Sequence, residues 1–155
     1  MSISTKSGWK VNQTGRATED MGELIYTNQI PEVDEFIELC VSAGLSRNNR
    51  DAAAKGLAGT CFSVCVRDAD RLVGMGRIIA DGGCFYQVVD IAVDPDYQRR
   101  GIGSQVMARL MDDLRGNAPR TAYVSLVADG EASRLYQKIG FEFTAPASVG
   151  MALRL

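Results

Sequence analysis

Histidine is absent from all 155 residues. That absence excludes a Ser-His-Asp triad, a Cys-His dyad, an imidazole general base and a His-rich zinc site. Acid–base chemistry falls instead to Asp, Glu, Tyr, Lys, Cys or water. The four cysteines, Cys40, Cys61, Cys65 and Cys84, form no C-x-x-C pair and accompany no export signal, so buried thiols in a reducing cytoplasm are expected. Residues 1–20, with Lys6, Lys10, Arg16 and Asp20, contain no apolar run and are neither signal peptide nor membrane anchor. They are expected to form a flexible leader ahead of one domain over residues 21–155. Charge of one sign is also scarce: 17 basic against 19 acidic residues give −2, which argues against general adhesion to nucleic acid or membrane. With 46% apolar and 23% charged residues, the chain has the profile of a single globular domain able to build a core without metal or crosslinks.

The pattern of apolar residues divides the rest of the chain. Leu24 to Tyr26 reads as a short strand. Pro31 then opens a helix with Val33, Phe36, Ile37, Cys40 and Val41 on one face, stopped by Gly44. A weaker helix covers Asp51 to Leu57. Cys61 to Val66 and Leu72 to Ala80 read as a hairpin around Asp68-Ala69-Asp70, with Asp81-Gly82-Gly83 as the next turn. Phe85 to Val93 is a long strand closed by Asp94-Pro95-Asp96. Val106, Met107, Leu110, Met111 and Leu114 mark a helix ended by Gly116 and Pro119. A strand from Tyr123 to Val127 and a helix bearing Ala132, Leu135, Tyr136 and Ile139 follow. Phe141 to Phe143 and Val149 to Leu153 are expected as closing strands, whose exposure would suit a homodimer. No repeat or linker interrupts this order.

The most informative stretch runs from Val88 to Ser104. An apolar strand enters a turn, and Gln98-Arg99-Arg100-Gly101-Ile102-Gly103-Ser104 leads directly into a helix. Glycines allow close backbone approach, and free N–H groups at a helix N-terminus favour an anion. A P-loop would continue with Gly-Lys-Ser/Thr and a dinucleotide fold would show G-x-G-x-x-G, and neither is present.

Together with Ser125-Leu126-Val127-Ala128-Asp129 and Leu135-Tyr136-Gln137-Lys138-Ile139-Gly140-Phe141, this segment resembles the GNAT N-acetyltransferases. Gly150-Met151 and Ala128-Asp129 are most similar to the branch with plant chloroplast acetyltransferases of arylalkylamines and lysines. The resemblance implies an α/β (α+β) domain with a central mixed, mostly antiparallel twisted sheet flanked by about four helices. Acetyl-CoA would bind where two parallel strands splay, its pyrophosphate on the loop Gln98, Arg99, Arg100, Gly101, Ile102, Gly103 and Ser104. Pantetheine would lie along Ile91, Ala92 and Val93. The side chains of Arg99 and Arg100 either touch phosphate or are simply solvated. Tyr136 matches the family's general acid for the leaving thiolate, although its helical face would also place it in the core. Asp129 stands where many relatives carry Asn, and Ser133 either contacts the cofactor or serves the first turn of its helix. No metal is implied.

Asp90 interrupts a run expected to be buried on both faces, where an unpaired carboxylate is costly. It is a candidate base for the amine, directly or through water, and the alternative is a structural pairing with backbone amides or with Arg77. Cys84 is a conceivable nucleophile, but nothing nearby in sequence activates it. Residues 17–38 hold seven acidic and no basic residues, whereas residues 98–138 hold seven basic against four acidic. That polarity fits an anionic cofactor and a cationic amine, although a solvated acidic helix explains most of the acidic charges better. The expected activity is therefore a cytoplasmic acetyl transfer to a small primary amine in a ternary complex. A silent acyl-CoA sensor and a protein lysine or N-terminal acetyltransferase are the alternatives.

Overall fold

The computed structural model describes residues 22–154, so the leader expected over residues 1–20 lies outside the described residues. The elements are β1 (Ile25–Thr27), α1 (Val33–Ser42), α2 (Arg50–Ala58), β2 (Phe62–Asp68), β3 (Arg71–Ala80), β4 (Phe85–Val93), a 3-10 turn (Pro95–Tyr97), α3 (Ile102–Asn117), β5 (Tyr123–Ser125) and α4 (Ala132–Ile139). The strands form one sheet in the order β1-β2-β3-β4-β5. Neighbours are antiparallel through β4, and β4 pairs with β5 in parallel. This is the mixed sheet with four flanking helices that the resemblance implied. Among the described residues no helix is long and apolar enough to cross a membrane.

Each face of the sheet has its own core. Val64, Val66, Val73, Ile78 and Val88 pack against Val106, Met107 and Leu110 of α3. On the other face Cys65, Leu72, Met75 and Ala92 meet Phe36, Leu39 and Cys40 of α1 and Leu57 of α2. Glu32 and Glu35 start α1 with a reciprocal capping box, and the Asn49 side chain accepts the Ala52 amide at 2.8 Å to start α2. Where α3 crosses β3, a Cβ on Gly76 would stand 2.5 Å from Ile91 Cδ1 and 2.7 Å from Val106 Cγ1. Only glycine permits that approach.

A bulge at Asp90 decides which way β4 faces. Residues 75 and 77 of β3 pair with residues 92 and 89, leaving Asp90 and Ile91 opposite Gly76, and Asp90 adopts φ 53. Side chains alternate strictly along a strand, so one extra residue inverts the alternation beyond it. Before the bulge the even residues Tyr86 and Val88 face α3; after it Ile91 and Val93 do, and Ala92 turns to α1. Without the inversion, Asp90 would fall on the α3 side with Val88.

Several expectations need correction. Phe141–Phe143 and Val149–Leu153 form no strands, because they find no ladder partner; the segment is irregular and almost wholly exposed. β5 ends at Ser125 rather than Val127, since its pairing with β4 stops there. Gly116 lies within α3, which runs to Asn117. In α1, Leu39 is buried while Val41 is exposed. Only Val88 and Ala92 of the run Val88–Val93 are fully buried, the rest being half-buried beside an opening in the sheet. Cys40 and Cys65 are buried as expected, but Cys61 and Cys84 are exposed.

Candidate active site

β4 and β5 pair only from Phe85–Tyr123 to Gln87–Ser125. Beyond that point β4 continues to Val93 without a parallel partner, and the chain of β5 departs towards α4. A cleft of about 440 Å3 opens in the gap. Ile91 and Val93 form one wall, Leu135 and Tyr136 of α4 another, and Gly101 to Ser104 the end. Ala92 faces away into the α1 core, so any contact it makes with a ligand in the cleft is through its backbone.

The loop into α3 is braced from beneath. Buried Asp94 accepts from Arg71 at 2.6 Å and from the Asp96 amide at 3.0 Å. The Tyr97 hydroxyl donates to Asp68 at 2.6 Å, and both Arg71 and Arg100 lie over the Tyr97 ring. Arg100 donates to the Asp96 carbonyl at 2.6 Å and does not line the cleft, whereas Arg99 does. Gln98 lines it too, but its side-chain amide donates to the Val93 carbonyl at 3.0 Å. The structure therefore uses Arg100 and Gln98 partly as loop braces.

Arg99 and Gly101 both adopt left-handed backbone, φ 62 and φ 79, which curls successive amides towards one side. Gly101 then caps α3 without a side chain to satisfy its first amides, and no acidic residue stands in the first turn. The amides of Ile102, Gly103 and Ser104 are thus left for an anion. Packing does not explain the second glycine: a Cβ on Gly103 would come no closer than 3.8 Å to any side chain. The space kept clear at this position belongs to the cleft, which fits a phosphate approaching the backbone.

Tyr136 is buried, its ring edge-on to Phe141 at 6.3 Å. Burial, and then the charge of Asp129, push its phenol above the ordinary value. The sequence left open whether Tyr136 is core or site; the structure buries it in the core and also places it on the cleft wall. Asp129 and Ser133 do not line the cleft. The Asp129 carbonyl accepts the Ala132 amide at 3.1 Å, and Ser133 donates to the Gly130 carbonyl at 3.2 Å, so both build the start of α4.

Asp90 is ion-paired through Oδ2 with Arg77 Nε, the structural alternative weighed from the sequence. Arg77 also donates to the Gly56 carbonyl at 2.9 Å and to Thr60 at 3.3 Å, and lies over the Phe36 ring. The pair therefore stands on the α1–α2 side of the sheet, behind the cleft wall rather than on it. Cys84 precedes β4 and lies roughly 20 Å from the cleft at the usual rise per strand residue, which removes it as a nucleophile. Part of the acidic charge of residues 17–38 is paired within the fold. Asp34 pairs with Arg50, and Glu35 is held by Arg67 at 2.5 Å; only the far end of α1, at Ala43, reaches the cleft. Ala43, Tyr97, Glu131, Ala132 and Leu135 line the cleft unpredicted; Tyr97 carried a signal in its place in the turn before the glycine loop, and Leu135 in its place beside Tyr136.

A family model described as the acetyltransferase (GNAT) domain matches residues 58–143. A protein of unknown function from meticillin-resistant Staphylococcus aureus, described as a probable acetyltransferase, is similar at 42% identity with a TM-score of 0.83, covering 86% of this chain and 100% of that one. A chloroplastic serotonin N-acetyltransferase of Oryza sativa subsp. japonica is 36% identical over 84 residues, 54% of this chain and 41% of its own length. A chloroplastic GCN5-related N-acetyltransferase of Arabidopsis thaliana is 33% identical over 85 residues, 52% of this chain and 31% of its own. The first curated relatives are matched over only 31% to 63% of their length.

Proposed function

The chain belongs to the GNAT acetyltransferase family, and from that premise we propose that it carries an acetyl group from acetyl-CoA to a small primary amine in a ternary complex. Acetyl-CoA supplies the thioester that activates the acyl group. The amides from Gly101 to Ser104 would hold its phosphates beside Arg99, and Ile91, Ala92 and Val93 would flank its extended arm. Tyr136 holds a proton at its phenolic oxygen for the departing thiolate, and its raised pKa keeps that proton in place at neutral pH. Asp90 has one oxygen committed to Arg77; standing behind the cleft wall, its other oxygen would take the amine proton only through a water relay from the α1–α2 side of the sheet. A strand amide near Ala92 or Val93 stabilises the oxyanion.

The observation that carries this reading is one cleft bordered by both an uncapped helix N-terminus and a buried tyrosine. The similarity to a serotonin N-acetyltransferase supports an arylalkylamine as acceptor, with polyamines next. The test is coenzyme A release from acetyl-CoA with arylalkylamines, polyamines, amino acids and lysine peptides. Turnover is expected with the small amines. Tight acetyl-CoA binding by calorimetry with no turnover on any acceptor would replace the enzyme with an acyl-CoA sensor, and turnover on peptides alone would make it a protein acetyltransferase.

A further inference from the structure

We propose that the turn joining β2 to β3, residues 68–71, sets the affinity of the glycine loop for the coenzyme A phosphates, with Asp68 as a positioning residue that acts through Tyr97. This rests on the reading of that loop as a phosphate site. The observation behind it is one of charge. The carboxylates of Asp68 and Asp94 brace a loop whose ligand is an anion, and Coulomb repulsion alone would weaken such a ligand. Neither residue lines the cleft. What they have in common is that each accepts a hydrogen bond from the chain that forms the loop.

Asp94 is buried. Its Oδ1 accepts the Asp96 amide at 3.0 Å, its Oδ2 accepts Arg71 at 2.6 Å, and its own amide donates to the Val73 carbonyl at 2.9 Å. Further along the loop, the Tyr97 hydroxyl donates to Asp68 Oδ2 at 2.6 Å, a short bond to a carboxylate. Both attachments end on one turn, because Asp68 and Arg71 face each other in the β2–β3 register. Arg67 secures that turn by donating to the Asp70 carbonyl at 2.9 Å and to Glu35 of α1. Gln98 and Arg100 bond to carbonyls of their own segment, Val93 and Asp96, whereas Asp94 and Tyr97 tie it to β2 and β3. Directly beyond Tyr97 and Gln98, Arg99 turns left-handed at φ 62. A non-glycine residue holds that conformation only where its surroundings impose it, and the curl of amides towards the phosphates depends on it. With Tyr97 released from Asp68, the ligand itself has to impose the curl, and affinity falls accordingly.

The test is coenzyme A affinity by calorimetry on the full chain, where position and charge predict opposite signs. Asp68→Ala removes both the acceptor and the charge, and is expected to weaken coenzyme A about tenfold or more, the effect of one hydrogen bond to a charged group. Asp68→Asn removes the charge, but its amide oxygen still accepts the Tyr97 hydroxyl, so it should bind within about twofold of the parent. Tyr97→Phe and the double variant D68A/Y97F should match Asp68→Ala, since all three lose the same bond. Because Tyr97 itself borders the cleft, this cycle separates the bond from any direct contact with the ligand. In Asp68→Ala the KM for acetyl-CoA should rise while kcat and the KM for the amine stay at the parental values. Tighter binding by Asp68→Ala and Asp68→Asn alike would mean that the carboxylate acts through its charge, additive losses in D68A/Y97F that the two residues act separately, and a lowered melting temperature at parental affinity that the turn only supports the fold. Each of these overturns the proposal. A parent chain that binds no coenzyme A overturns the phosphate reading as well, a result visible before any variant is made.

Discussion

The proposed roles of two residues can be separated by single substitutions. Tyr136→Phe removes one hydroxyl and leaves the edge-on contact with Phe141, so the fold and the affinity for acetyl-CoA should survive. Loss of a general acid is expected to lower kcat about a hundredfold or more. The acid works only while protonated, so activity should persist through neutral pH and fall as pH rises beyond the ordinary tyrosine value of 10.0. Asp129→Asn removes a charge that raises that value, and should move the alkaline limb of the kcat profile to lower pH. Asp90→Asn is the second experiment. Asparagine tolerates φ near 53 better than other uncharged residues except glycine do, so this change removes charge without refolding the bulge. It leaves Arg77, mostly enclosed, without its carboxylate; a loss on the order of 1–2 kcal/mol follows for a pair that keeps some solvent. The accompanying fall in kcat, with the KM for acetyl-CoA unchanged, is what proton relay through Asp90 requires. A lowered melting temperature at parental kcat would reduce Asp90 to a structural partner of Arg77.

At the scale of elements, two glycines on the α3 side of the sheet do different things. Gly76→Ala forces a methyl into Ile91 and Val106, and overpacking of this kind costs about 1–3 kcal/mol. Gly103→Ala meets nothing closer than 3.8 Å and sits in the first turn of a helix, where alanine is well tolerated. It is expected to preserve the melting temperature while raising the Kd for acetyl-CoA at least tenfold, measured by calorimetry. Unaltered binding would mean that no ligand approaches that backbone. The glycine loop and the helix after it were legible in the sequence because their chemistry is local: strand, turn, glycines and helix follow one another in the chain. The bulge was not, since it exists only in the register between β3 and β4. Asp90 could be marked as anomalous from its apolar neighbours, but not which face it would take. The closing strands failed for a related reason. Alternation in Val149–Leu153 specifies a strand, and no periodicity specifies the edge it joins.

Across the whole molecule, charge pairs such as Glu35 with Arg67, 32 residues apart, were not legible in the −2 balance, because they meet only through the fold. The cysteines offer a global test of that fold. Cys61 and Cys84 are exposed. Cys40 lies between α1 and the sheet, where burial and then the charge of Asp90 push its thiol up to about 12, Arg77 offsetting only part. Burial pushes Cys65 up to about 11, and its Sγ donates to the Gln29 carbonyl at 3.1 Å. Because the thiolate is the reactive form, these two are doubly protected near neutral pH, by enclosure and by protonation. An aromatic disulfide reagent should therefore consume two thiols quickly and two at a rate set by opening of the structure. Raising the pH by one unit within the native range should leave the slow class limited by opening, whereas mild denaturant should accelerate it steeply. Asp90→Asn distinguishes the two protections at Cys40. Removing the charge alone lowers its thiol pKa, but reaction still waits on α1 leaving the sheet, so the slow phase should quicken only as far as the variant is destabilised. Four fast thiols in the parent protein would mean that α1 and α2 do not pack on the sheet as described, and the pairing of Asp90 with Arg77 would fall with them.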